Sequence, residues 1–135
     1  MGQVTPENWF ARPLKGFFYS LVRHSQERYT HMKRIMYIEC KGEGLDGPGR
    51  IGWVEISRST RSYVYGDKRF LKTKSGYKYN CIEEDTGVHY WISGPKKKGG
   101  DKLYGGTVEI DDDARVEYWT KIREKPESVD ETWAS

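Results

Sequence analysis

The sequence predicts a mainly β protein: a small antiparallel barrel or strongly curved sheet of about six to seven short strands, with a C-terminal helix and an N-terminal accessory helix. Three observations lead there. From Lys33 onward the apolar residues recur mostly with a period of two, the period of a pleated strand. The runs that do so are short and are parted at regular spacing by turns rich in Gly, Asp and Pro. Rings are abundant, with ten Tyr and five Trp among 135 residues, while only 36% of the residues are hydrophobic. Aromatic side chains bury large areas and suit half-covered pleated faces, so they make up for scarce aliphatics. The length fits one domain with a modest core.

Residues 1–31 differ in texture from the rest. Leu14, Phe17, Phe18, Leu21 and Val22 fall at the spacing of one helical face, which predicts a short amphipathic helix over residues 14–24, weakened by Gly16. This extension either packs on its own domain, docks elsewhere, or precedes a natural start at Met32. Residues 33–40, KRIMYIEC, are apolar on both faces in the middle and read as a central strand. Four glycines and a proline in KGEGLDGPG then force a turn. In residues 50–57 Gly52, Val54 and Ile56 alternate against Ile51, Trp53 and Glu55, and Gly52 marks a bulge or a close approach.

Shorter strands are expected at residues 62–66 and 69–72, then at 77–84 and 88–93, the last two joined by Asp85-Thr86-Gly87 as a hairpin turn. Residues 107–110 form a final short strand. The run Asp111-Asp112-Asp113 then caps a helix through about Arg123, with acidic groups at its start and Lys121, Arg123 and Lys125 at its end, as the helix dipole favours. Val116, Trp119 and Ile122 supply its packing face. Residues 126–135 read as a polar, mobile tail, so the domain proper spans residues 32–125.

Charge is uneven along the chain. Residues 1–31, 32–106 and 107–135 carry net charges of +2, +6 and −5. A basic body before an acidic end either attracts a polyanion or folds the acidic end over the basic face. The positive charge is densest in residues 88–106, VHYWISGPKKKGGDKLYGG, where an alternating strand enters a loop with five glycines and four lysines. Lys96, Lys97, Lys98 and Lys102 beside Trp91, Tyr104 and Trp53 give the mixture of ammonium groups and rings that single-stranded nucleic acids use, phosphates on the first and bases on the second. The bland counterpart is a solvated hairpin loop over structural aromatics.

Catalysis finds no constellation. Cys40, Cys81, His24, His31 and His89 do not fall into a recognisable arrangement, and no pair of His or Cys has metal-ligand spacing. The Gly-rich loop lacks the GxxxxGK[ST] order of a P-loop. No catalytic residue, metal or cofactor is therefore expected. Two cysteines outside any CxxC, and a longest apolar run of about six residues, point to a reduced, cytoplasmic protein without a transmembrane segment. The expected role is a non-catalytic binding or adaptor module. Its ligand is single-stranded nucleic acid or, alternatively, another protein docking through the N-terminal helix or the acidic C-terminal end.

RIMYIECKGEGLDGPGRIG, DTGVHYWISGPKKKGGDKLYGG and DDDARVEYWTKIR are similar to segments of a group of small bacterial proteins of unknown function, over residues of about 32–124. Some members of that group are labelled 1-deoxy-D-xylulose-5-phosphate synthase. That label implies a thiamine diphosphate enzyme several times longer, with a GDG motif and a downstream Asn holding the diphosphate through a metal. This chain contains no GDG, and no catalytic residue is carried over from the resemblance.

Overall fold

The computed structural model describes residues 30–74, 76 and 78–135; the helix expected over residues 14–24 lies outside them. The chain forms eight strands: β1 (Thr30–Gly42), β2 (Gly49–Ser57), β3 (Ser62–Tyr65), β4 (Lys68–Lys72), β5 (Cys81–Glu83), β6 (His89–Ser93), β7 (Val108–Ile110) and β8 (Trp133–Ala134). Each of β1 to β6 pairs antiparallel with its neighbour in sequence, and β6 returns to β1, so six strands close into an up-and-down barrel. Closure leaves these strands no full-length open edge. Irregularities between Thr30 and Met32 and between Cys40 and Gly42 bend β1 so that it can serve two partners, and Gly42 takes a positive φ of 57° at the second.

The interior is filled by the inward residues of every strand, among them Ile38, Val54, Tyr63, Phe70, Cys81 and Tyr90. Phe70 and Tyr90 meet with ring centroids 4.6 Å apart. Cys40 and Cys81 flank Tyr90 on the neighbouring strands, and both are free, buried thiols. Burial pushes both thiols up, Cys81 to about 12. Glu83 closes this end of the interior by accepting from Thr86 Oγ1 at 3.0 Å and pairing with Lys68 at 3.3 Å.

A second core lies outside the barrel wall. Ile35, Tyr37 and Ile51 point outward from β1 and β2 and are covered by Val108, Ile110, Ala114, Tyr118 and Trp119 from the C-terminal part of the chain. The apolar residues on both faces of residues 33–40 thus have a physical cause, because that stretch serves two cores. Here β7 runs parallel to β2, pairing Arg50 with Glu109 and Ile51 with Ile110, where an antiparallel pairing was expected. A parallel neighbour needs a crossover, and residues 94–107 supply it.

The acidic end does fold against the basic body in part. Arg50 donates to Glu109 at 2.8 Å and to Asp111, and Tyr65 Oη donates to Asp111 at 2.7 Å. Gly52 makes room for this cluster: a Cβ there would fall inside the Asp111 carboxylate and 2.7 Å from Tyr65 Cε1. The close approach expected at Gly52 is therefore what the fold requires of it.

Two expectations for the C-terminal part need correction. The helix expected from Asp111 to about Arg123 is α-helical only over Asp112–Glu117 (α1) and continues as a π-helical turn over Tyr118–Ile122, where Arg123 N donates to Tyr118 O at 2.9 Å. Asp111 stands at the N-cap position, but its side chain is spent on Arg50 and Tyr65 and makes no capping hydrogen bond. Residues 126–135 are not a mobile tail either. Trp119 Nε1 donates to Glu131 O at 2.9 Å, Ile110 N donates to Thr132 O at 2.8 Å, and Ala134 is buried beside β7. A polar composition hid the few apolar contacts, Val129 and Ala134, that dock this stretch. Among the described residues no helix is long and apolar enough to cross a membrane.

Candidate functional site

Ser93, the last residue of β6, faces Tyr37 of β1, so the preceding part of β1 runs on past the end of its neighbour. A cleft of about 480 Å³ opens where the two strands part, lined by Lys33, Arg34, Ile35 and Met36 of β1, Trp53 of β2, Gly94, Pro95 and Lys97 of the loop, and Glu117, Lys121 and Ile122 of the helical segment. Four cations surround it and one carboxylate does. Lys33, Arg34, Lys97 and Lys121 are all exposed, and none makes an ion pair or side-chain hydrogen bond among the described residues. A second cleft of about 460 Å³ shares Lys33 and Trp53 with the first but is rich in carboxylates, including Glu55 and Asp113. Trp53 is thus the partition between a cationic and an anionic recess. Its ring is half-buried, held by Nε1 donating to Asp113 O at 3.0 Å.

The crossover loop is pinned at several points. Lys96 N donates to Asp101 Oδ1 at 2.8 Å, and Arg123, buried beside the Tyr118 and Trp119 rings, donates to Gly99 O at 2.9 Å. Burial pushes the Asp101 carboxyl up, against the pull of the Lys96 amide and the Arg123 guanidinium. Further along, Lys102 Nζ donates to Gly47 O and pairs with Asp46 at 3.1 Å. Partial burial works to raise the Asp46 carboxyl, but the Lys102 ammonium outweighs it and holds the group below the usual carboxylate range. Gly47 sits in the β1–β2 turn, where Pro48 O accepts from Cys40 N, and Cys40 faces Tyr90. The loop therefore runs from the end of β6 to the β1–β2 turn, with Lys96, Lys97 and Lys98 exposed along it.

The expected site residues separate on this frame. Lys97 and Trp53 come together in the cationic cleft, with Lys96 and Lys98 exposed next to it. Lys102 is committed to the β1–β2 turn, and its side chain is only 11% exposed. Tyr104 projects into solvent beside Leu103, beyond the last anchor. Trp91 is half-buried against the second core, with Nε1 donating to Ser93 Oγ at 3.1 Å, so one part of its ring packs and the rest faces out. Lys33, Arg34 and Lys121 were not singled out from the sequence. They lie in two segments far apart in sequence, β1 for Lys33 and Arg34 and the helical segment for Lys121, and Lys121 read as complementing the helix dipole; its i,i+4 relation to Glu117 on the exposed side was the available signal.

Both thiols are inside the barrel wall with raised pKa, and no group of three or more metal-ligating side chains occurs among the described residues. What the cleft can do is hold anionic groups on ammonium and guanidinium donors beside an indole face. Comparison with protein-family models, with curated proteins and with solved structures gives no match.

Proposed function

We propose that the protein is a non-catalytic binding module whose ligand is single-stranded nucleic acid, seated by its phosphates in the cleft between the start of β1, the crossover loop and the helical segment. One observation carries the reading: Lys33, Arg34, Lys97 and Lys121 converge on a single cleft beside Trp53 that has Glu117 as its one carboxylate, and none of the four is in an ion pair among the described residues. Four cations around a recess with one carboxylate repel each other, and a polyanion removes that cost while releasing its own counterions. A single strand fits better than a duplex because the indole offers a surface for an unstacked base.

The test is a fluorescence titration of single-stranded oligonucleotides at several salt concentrations. With four phosphates engaged, the slope of log affinity against log salt is about −2.8. Lys97→Gln with Lys121→Gln reduces its magnitude by about 1.4. A salt-independent affinity for a protein recovered from lysate after nuclease treatment, with no oligonucleotide binding at low salt, would replace this reading with protein docking.

A further inference from the structure

Outward residues of β6 follow one another as His89, Trp91 and Ser93, all half-buried, while Tyr90 and Ile92 point into the barrel. Ser93 leads directly into Gly94 and Pro95 of the cationic cleft. At the other end, the His89 ring lies flat on Tyr79, with centroids 3.7 Å apart and planes 9° from parallel. Asn80 holds that segment in place by bridging Ile92, accepting from its N–H at 2.9 Å and donating to its carbonyl at 2.8 Å. The crossover loop leaves from Ser93 and is held further on at the β1–β2 turn, where Lys102 donates to Gly47 O and pairs with Asp46. The face of β6 is therefore a lane with the cations of the cleft at one end, a pair of stacked rings at the other, and Trp91 between them.

Resting on the nucleic-acid reading above, we infer that the Tyr79–His89 stack is a second base platform, so that one strand runs from the cleft along β6 past Trp91 to these rings. Both rings are partly exposed, and their parallel stacking presents a flat aromatic edge and face of the kind on which successive bases continue the pile. His89 is four residues from Ser93, about 13 Å along the strand. At about 3.4 Å per stacked nucleotide, reaching it takes roughly four nucleotides beyond those in the cleft. The site should accordingly discriminate by length, with short oligonucleotides filling only the cleft.

The experiment compares a thymidine trinucleotide with a decamer on the full chain, using wild type, Tyr79→Ala, His89→Ala and Tyr79→Phe, each checked for an unchanged melt. Expected are a decamer affinity lowered roughly 5- to 150-fold by either alanine, trinucleotide affinity unchanged, and Tyr79→Phe binding as wild type because it keeps the ring. If wild type binds the decamer and both alanine variants bind it equally well, the platform is refuted and the cleft stands alone. Equal weakening of both lengths also overturns it, since the effect would then lie within the cleft. Should wild type bind neither length at low salt, the nucleic-acid reading itself falls and takes this inference with it.

Discussion

Replacing Trp119 by Ala tests whether the layer outside the barrel is integral to the fold. The Trp119 side chain is 4% exposed, meets Tyr118 edge-on with ring centroids 5.0 Å apart, and donates from Nε1 to Glu131 O at 2.9 Å. An indole of this burial removes roughly 150–250 Å² from water, worth roughly 4 to 6 kcal/mol at 25 cal/mol per Å². Alanine retains a small part of that, and measured tryptophan truncations fall at about 3 to 5 kcal/mol. The lost hydrogen bond accounts for about 1 kcal/mol within that total. Trp119→Phe separates the two contributions, because it keeps most of the ring area and removes only the donor and part of the bulk. Urea denaturation followed by far-UV circular dichroism should show a large drop in midpoint for Ala and a smaller one for Phe. A biphasic curve for Ala, with an early transition of small amplitude, would mean the outer layer detaches before the barrel opens. An unchanged midpoint would refute the reasoning, since it would require the indole to be dispensable in a site where it is surrounded.

Two further outcomes follow from buried groups. Burial raises the Cys81 thiol from 9.0 to about 12 and also raises Tyr37 and Tyr90, so the folded state keeps protons that the unfolded chain gives up first. This stability is fully present below about pH 9 and is lost as pH climbs from there toward 12, at about 1.4 kcal/mol per pH unit for each such group while only the unfolded state titrates; urea midpoints taken between pH 8 and 11 should fall, and a flat profile would contradict the burial. Gly52→Ala places a methyl group against the Asp111 carboxylate and the Tyr65 ring and should lower stability by about 1 to 3 kcal/mol, read from the thermal midpoint with near-wild-type oligonucleotide binding for whatever fraction remains folded.

Much of the barrel was legible because its rules are local. Alternation of Gly52, Val54 and Ile56 against Ile51 and Trp53 gave β2, and Asp85-Thr86-Gly87 gave the turn into β6. Where residues answered to distant partners the pattern failed. Asp111 looked like a helix cap by position and chemistry, but a salt bridge to Arg50, 61 residues away, claims its carboxylate. β8 has two residues and depends wholly on β7 for its existence, so no periodicity announces it. The same division holds for the candidate site. The consecutive lysines at 96–98 were conspicuous, whereas the cleft also draws on Lys33, Arg34 and Lys121, which only barrel closure and the outer layer bring together. Lys102, equal to them in sequence, was removed from the set by the carbonyl and carboxylate it meets.

The β1–β2 hairpin has a consequence for how the protein tolerates change. In an ordinary amphipathic strand every second position is free to drift, and errors on the wet side are absorbed without notice. Residues 35–38 have no such side, because Ile35 and Tyr37 are enclosed by the outer layer and Met36 and Ile38 by the barrel. A change at one of them alters the wall shared by both cores, and two changes on opposite faces will not act independently even though their side chains never touch. The start of the same strand carries Lys33 and Arg34 into the cleft. A segment enclosed on both faces thus continues directly from the mount of two exposed charges, which ties the placement of those cations to the integrity of both cores.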